Sequence, residues 1–179
     1  GHQNLNTDNA YFWKDDSGNL HLGVFDFGGF GSSCLPHKLW WALNMADFEN
    51  VKTNLHDYID AFIAAYKEAG GPSLDHKVVH KMLILTALQN LVIMINAIPN
   101  NFKMCPLKEW ATIKDRHDPR IADDVDNKST LRSCVHVLGM GCCVIEELNG
   151  PEILAKFVDE EKAREAAKAD KNTLQDLQR

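Results

Sequence analysis

Four residues near the start of the chain have the types and the spacing that chemistry on phosphate groups needs. His2, Asn4 and Asn9 precede the tripeptide Asp26-Phe27-Gly28. Phosphoryl transfer needs a carboxylate that orients the attacking hydroxyl, and oxygen ligands that hold Mg²⁺ against the phosphates. Asn9 and Asp26 offer such oxygens, whereas Asn4 stands where the spacing requires a carboxylate. This set of residues is therefore a candidate site for chemistry on phosphate groups, with an amide at Asn4 in place of a carboxylate.

The stretch from His2 to Gly28 resembles the C-terminal lobe of the aminoglycoside phosphotransferase and choline kinase-like family, a branch of the protein kinase-like fold. The frame H-x-D-x-x-x-x-N, then a hairpin, then D-F-G is matched here by HQNLNTDN and DFG, with Asn4 in place of the aspartate. A later segment, YIDAFIAAYKEAGG, is similar to a helix of that family, so the resemblance covers residues 1–98. It implies that His2 is the structural histidine of the catalytic loop and that Asn4 occupies a degenerate base position. It also implies that Asn9 and Asp26 bind Mg²⁺ with ATP.

Two departures from the family pattern bear on function. An amide at Asn4 has no carboxylate that could accept a proton. The family's nucleotide-clamping N-terminal lobe has no counterpart in the chain, and SSCLPHKLWWAL replaces the family's aspartate-containing segment after DFG.

Two functions follow as hypotheses. The first is a non-catalytic structural or interaction subunit of a larger assembly; the second is an ATP- and Mg²⁺-dependent phosphotransferase for small hydroxyl or amine substrates, with its N-lobe missing from this chain.

The elements that must position these residues are a hairpin and a set of helices. The aromatic and β-branched runs AYFW and LHLGVFD flank a turn at Gly18-Asn19, which is typical of a β-hairpin. Apolar residues at spacings of three and four then predict a helix that Gly70 ends, and a second helix from a cap at Asp75 to a terminator at Pro99. The predicted fold class is mainly α with a small β-hairpin.

The composition changes near Gly150, which predicts a boundary there. The resemblance implies that residues 1–150 are a kinase-like C-lobe without its N-lobe. Residues 151–179 are good helix formers with few large apolar side chains, which predicts a charged C-terminal helix or tail that projects from the body.

Composition limits the partners and the compartment. A net charge of −6 and a pI near 5.7 argue against nucleic acid, which needs a basic face. Other protein subunits are expected instead, through the exposed cleft face, through Trp40-Trp41 and through the C-terminal helix. Five cysteines without CxxC spacing predict free thiols and an intracellular, reducing compartment. The apolar run from Met82 to Ile98 is expected to be a buried core helix rather than a direct membrane span.

Two further groups have weaker signals. His76 and His80 are four residues apart on a predicted helix, a spacing that can bind zinc, but no third ligand is evident and solvent-facing histidines are expected. Cys142 and Cys143 lie in an apolar segment and are expected to be buried, inert thiols.

Overall fold

The structure is a computed structural model that describes residues 2, 5–6, 9–29, 31, 34–115, 117–123 and 131–177, with residues 170–177 described by their backbone alone. It has one hairpin followed by helices, which confirms the predicted class of a mainly α fold with a small β-hairpin. A short 3₁₀ turn, Phe27–Gly29, follows the hairpin. The elements are β1 (Ala10–Lys14), β2 (Leu20–Val24), α1 (Leu35–Leu43), α2 (Phe48–Glu68), α3 (His76–Ile95), α4 (Ile98–Met104), α5 (Leu107–Trp110), α6 (Pro119–Ala122), α7 (Leu131–Glu147) and α8 (Gly150–Leu177).

The hairpin is antiparallel, and its connecting turn is closed by an aspartate. The carboxylate of Asp15 accepts hydrogen bonds from the backbone N–H groups of Ser17 and Asn19, each at 2.9 Å. Gly18 has a φ of 82°, a backbone conformation that glycine adopts without the steric cost of a Cβ atom. The predicted turn at Gly18-Asn19 is confirmed.

Helix ends were predicted with mixed success. Asp75 caps α3, because its carboxylate accepts the Val78 N–H at 2.9 Å, and Gly70, with a φ of 87°, follows the end of α2; both predictions are confirmed. Pro99 does not terminate α3, so that prediction is wrong. The helix ends earlier, at Ile95, and Pro99 lies in the first turn of α4, where the missing N–H of a proline leaves no helical hydrogen bond unmade.

The core is centred on α3, which packs against α1, α2, α7 and α8. By length and composition alone α3 could cross a membrane, and 33% of its most apolar 18 residues are buried inside the molecule. Central helices of globular cores have the same length and composition, and α3 supplies several of the least exposed side chains of this core. Fully buried members of the cluster include Val51, Ile59, Leu83, Ile84 and Val144.

Two predictions about adjacent pairs of residues are corrected. Trp40 is 3% exposed and belongs to the protein's own core, so the expectation that it packs against another lobe or protein is wrong; Trp41 is half-buried and donates its indole N–H to His37 at 2.9 Å. Cys142 is exposed and only Cys143 is half-buried. Neighbouring helix residues point about 100° apart, which separates the members of each pair.

The C-terminal helix α8 packs at its beginning and is exposed further along. It contacts α3 and α7, and the Lys81 ammonium on α3 lies 2.7 Å from the Glu160 carboxylate. Side chains from Lys162 to Ala169 are exposed. The sequence pattern thus predicted the helix, while the packing of its first turns follows from contacts that the pattern does not specify.

Candidate functional site

The two predicted metal-ligand positions lie at the open end of the hairpin. The Phe25 N–H donates to the Asn9 carbonyl at 3.0 Å, and the Asn9 N–H donates to the Asn6 carbonyl at 3.1 Å. The first of these bonds extends the strand pairing by one residue, since Ala10 pairs with Val24, and the second closes a turn just before β1. Asn9 is buried, with 8% of its surface exposed. The backbone therefore brings Asn9 and the residue that follows Phe25, Asp26, to the same end of the hairpin.

Asp26 has an unusual backbone conformation. Its φ is 60°, the left-handed region that non-glycine residues seldom occupy, although aspartate and asparagine tolerate it better than most. The side chain is exposed and leans toward Gly28, since a Cβ atom built on Gly28 would lie 3.5 Å from the Asp26 Oδ1. The carboxylate is accordingly open to solvent and to any ligand that approaches the hairpin end.

His2 holds the backbone immediately before Asp26. Its Nε2 lies 2.8 Å from the Phe25 carbonyl oxygen, so the tautomer with a proton on Nε2 donates this bond. The imidazole is 7% exposed and meets the Phe27 ring edge-on, with ring centroids 5.0 Å apart. His2 thus contacts the residues on both sides of Asp26, a geometry that fits a positioning role.

Asn4, the predicted degenerate base position, lies outside the described residues, as do Phe30, Ser32 and Ser33 of the glycine-rich segment after Asp26. The structure therefore places three of the four predicted site residues, and it brings those three together.

The side chains of Asn9 and Asp26, at the hairpin end, carry oxygen atoms of the kind that Mg²⁺ binds. Magnesium takes oxygen ligands, commonly one or two from protein with the others from substrate phosphates and water. The Asn9 amide oxygen and the Asp26 carboxylate fit that chemistry. Among the described residues, no group of three or more His, Cys, Asp or Glu side chains is arranged to hold a metal ion. A cation at the hairpin end would therefore depend on nucleotide phosphates and water for most of its ligands.

Both faces of the hairpin present large apolar side chains to solvent. On one face Tyr11 and Trp13 stack with centroids 5.3 Å apart, and the Tyr11 ring lies over Gly23, where a Cβ atom would be 2.1 Å from a ring carbon. On the other face Phe12 is 61% exposed and Leu22 is 58% exposed. A two-stranded hairpin with exposed apolar side chains on both faces is marginally stable by itself, so these faces are suited to contact with another molecule.

A buried lysine on α1 was not found by sequence reasoning. Lys38 is 8% exposed, and its Nζ has no hydrogen-bond partner among the described residues. Burial lowers the pKa of Lys38, because the charged ammonium loses hydration. No sequence signal marks such a residue, since lysine is almost always at the surface.

A histidine cluster joins α2 and α3. His56 Nδ1 lies 2.9 Å from His76 Nε2, and the other nitrogen of His76 lies 2.7 Å from the Asp60 carboxylate. The His80 ring is parallel to the His56 ring at 5.4 Å, and burial followed by the neighbouring histidines lowers the pKa of His80. His76 and His80 are half-buried, so the expectation that they face solvent is corrected. His56 and Asp60 were missed, although their spacing of four matches that of His76 and His80.

A shallow pocket of about 290 Å³ lies between α3 and α8. Its charged lining residues are three lysines, Lys77, Lys81 and Lys156, and one carboxylate, Glu160. None of its lining residues belongs to the hairpin, so it is separate from the predicted phosphate chemistry.

Comparison of the chain with protein-family models, with curated protein sequences and with solved structures gives no match.

Proposed function

We propose that this chain is a degenerate phosphotransferase-like domain that acts as a non-catalytic structural or interaction subunit of a larger assembly. The observation that carries the proposal is the exposure of large apolar side chains on both faces of the hairpin that bears Asn9 and Asp26. Apolar surface of this kind is typical of protein–protein contact sites. On the resemblance to the kinase-like fold, this is also the cleft face, which a second lobe or subunit would cover.

The residue at the base position supports the non-catalytic assignment. Asn4 replaces the carboxylate that would orient and deprotonate a substrate hydroxyl. Loss of a general base commonly reduces a rate by about 100-fold or more. Asn9 and Asp26 would then be retained because they maintain the backbone geometry at the hairpin end, and not as metal ligands.

The interaction role can be tested by site-specific photo-crosslinking in the native cells. A photoreactive amino acid is placed at Phe12 or at Leu22, and a matched control carries it at Lys67, an exposed residue in the last turn of α2. We expect both hairpin positions to crosslink to the same protein, and the Lys67 position not to. Equal or absent crosslinking at all three positions would contradict an interaction role for the hairpin.

The second candidate, an ATP- and Mg²⁺-dependent phosphotransferase for small hydroxyl or amine substrates, is favoured by one observation. Asp26 is held at a φ of 60° beside Asn9 with an exposed carboxylate, and strained backbone is concentrated at functional sites. When bound, Mg²⁺ with ATP would supply the transferable phosphoryl group and neutralise its charge. Asn9 and Asp26 would hold the cation, and His2 would keep the Phe25 carbonyl in place before Asp26.

The two candidates differ in what Mg²⁺ and ATP do to the purified protein. The temperature of unfolding is measured with ATP, with and without Mg²⁺, for the wild type, for Asp26→Asn, which tolerates the left-handed backbone, and for the control Asp16→Asn in the exposed turn. The non-catalytic proposal expects no Mg²⁺-dependent shift. A shift that Asp26→Asn abolishes and Asp16→Asn retains would favour the enzyme instead, especially if Asn4→Asp then gives phosphoryl transfer.

A further inference from the structure

We propose that the cavity between α3 and α8 binds a small organic molecule that carries a phosphate monoester. The cavity has a volume of about 290 Å³ and is lined by residues of these two helices. The proposal goes beyond the function proposed for the hairpin and does not depend on it, because no residue of the hairpin lines the cavity. It rests on the charges, the hydrogen-bond donors and the apolar surface that meet there.

The cavity collects positive charge in a chain that is acidic as a whole. Three lysines and a single carboxylate, Glu160, line it, whereas the whole chain has a net charge of −6. Lys77 and Lys81 are four residues apart on α3, and Lys156 and Glu160 are four residues apart on α8, so each pair shares one face of its helix. The packing of α8 on α3 therefore brings like charges near one another, and a bound anion would offset their repulsion.

The carboxylate in the cavity already has a partner. Lys81 Nζ donates to Glu160 Oε2 at 2.7 Å, and this hydrogen bond lowers the pKa of Glu160, so the carboxylate is ionised at neutral pH. Lys77 and Lys156 have no ion-pair partner among the described residues. Two positive charges thus remain beside the Lys81–Glu160 pair. They match the charge of about −1.5 to −2 that a phosphate monoester carries at neutral pH.

Lysine and histidine side chains supply donors for phosphate oxygens. An ammonium group has three N–H donors and no acceptor, and lysine binds phosphate as a point charge. His80 also lines the cavity, and its contact with His56 is a stack with ring centroids 5.4 Å apart, which occupies the face of the ring and not its nitrogens. Burial lowers the pKa of His80, so at neutral pH the ring adds one N–H donor without a further charge.

Apolar side chains in the cavity favour an ester over inorganic phosphate. Val78 and Ile153 line the cavity beside the charged groups, and Val78 is 53% exposed. A substituent on the phosphate that covers these side chains would remove apolar surface from water. The volume of about 290 Å³ lies at the lower end of the range of about 300–1,000 Å³ for small-molecule sites. The cavity therefore suits one phosphate group with a small organic substituent.

The test is an NMR titration of the isotope-labelled full chain with phenyl phosphate, at neutral pH and fixed ionic strength. Two further probes are titrated in the same way: phenyl sulfate, which has the same shape but a smaller negative charge, and inorganic phosphate, which lacks the apolar group. The variants are Lys77→Gln, Lys156→Gln and Glu160→Gln. The matched control is Lys67→Gln, an exposed lysine in the last turn of α2 that does not line the cavity. Circular dichroism checks that each variant retains its helices.

We expect phenyl phosphate to bind at one site, with the largest changes in chemical shift at residues 77–81 and 153–160. Lys77→Gln and Lys156→Gln should each weaken binding by about 2- to 5-fold, the scale of charge pairs that water partly screens. Glu160→Gln should strengthen binding, because it removes a negative charge from the cavity and releases Lys81. Lys67→Gln should bind as the wild type does, and phenyl sulfate and inorganic phosphate should both bind more weakly than phenyl phosphate.

Three results would each overturn the proposal. The first is the absence of saturable binding of phenyl phosphate to the wild type. The second is an affinity that stays unchanged in Lys77→Gln and Lys156→Gln, or that falls in Glu160→Gln. The third is an equal affinity for phenyl sulfate or for inorganic phosphate, because the charge of the phosphate or the apolar side chains would then not contribute to recognition.

Discussion

Asp26 is the residue at which backbone conformation and candidate chemistry coincide. Among the described non-glycine residues, only Asn149 also has a positive φ, of 54°. Asn149 stands between α7 and α8, where a left-handed residue commonly ends a helix. Asp26 has no helix to end, because it lies between β2 and a short 3₁₀ turn. Its strained backbone is therefore more informative about function than that of Asn149.

Glycine substitutions at Asp26 and Asp16 test whether the backbone of Asp26 is strained. Glycine lowers the free energy of unfolding by about 0.5–1 kcal/mol where no positive φ is needed, which we expect for Asp16→Gly in the hairpin turn. At Asp26 the relief of roughly 1 kcal/mol of strain offsets this cost, so Asp26→Gly should leave stability unchanged or slightly raised. Urea unfolding measures both variants. An equal loss in the two would show that Asp26 is not strained.

The turn carboxylate of Asp15 makes the hairpin sensitive to acid. Hydrogen bonds from His21 and then from Asn19 lower the pKa of Asp15 from 3.8 to about 2. Since the folded pKa is below the unfolded one, the stabilisation is complete above about pH 4 and is lost as the pH falls through the interval from 3.8 to about 2. Carboxyl-carbon NMR should give the low pKa, and amide exchange of β1 and β2 should accelerate over the same interval.

The controls for the acid prediction are in the same turn. Asp15→Asn should remove the pH dependence of hairpin exchange over that interval, whereas Asp16→Asn should keep it. If the Asp15→Asn hairpin loses protection over the same pH range as the wild type, another group is responsible.

At the scale of elements, the packing of α7 on α3 depends on one glycine and not on its neighbour two residues away. A Cβ atom at Gly141 would lie 2.7 Å from the Leu91 Cδ1 and 2.9 Å from its Cβ. At Gly139 a Cβ atom would meet nothing within 4 Å. Of these two glycines, only Gly141 lies at a close contact between α7 and α3.

Alanine at the two positions should have opposite effects. Gly139→Ala should raise the free energy of unfolding by about 0.5–1 kcal/mol, because alanine is the better helix former. Gly141→Ala should lower it by about 1–3 kcal/mol, because Leu91 must move in a packed core. Thermal or urea unfolding of the two variants decides between these outcomes. Stabilisation by Gly141→Ala would show that α7 and α3 are less closely packed than described.

Sequence reasoning succeeded at the elements where the signal is local. The caps at Asp75 and Gly70 depend on a few neighbouring residues, and both were predicted. The start of α2 was missed, since Asp47 caps it before the apolar periodicity becomes clear. Pro99 was assigned to the wrong side of a helix boundary, because a proline is compatible both with the end of one helix and with the first turn of the next.

For the whole molecule, the features that were predicted depend on one continuous stretch of sequence. The features that were missed depend on how two stretches pack against each other. The hairpin that brings Asn9 and Asp26 to one end follows from a local pattern. The pairing of His56 with His76 requires the register between α2 and α3, and the burial of Trp40 requires knowledge of which helix face meets the core. Neither is present in the spacing of residues along one helix.

Deletions within α8 measure how much of this helix contributes to the stability of the protein. Ile153 packs against the core cluster, and Lys81 pairs with Glu160, whereas side chains from Lys162 to Ala169 are exposed. Deletion of residues 162–179 should therefore change the free energy of unfolding by no more than about 0.5 kcal/mol. Deletion of residues 150–179 should lower it by about 2 kcal/mol or more, because apolar surface on α3 and α7 is exposed. Urea unfolding of both truncated chains gives these values at a fixed protein concentration. Two results together would contradict this: deletion of residues 162–179 lowers the free energy of unfolding by more than about 1 kcal/mol, and the stability of the full chain rises with protein concentration. They would show that residues 162–179 contribute to a contact with a second copy.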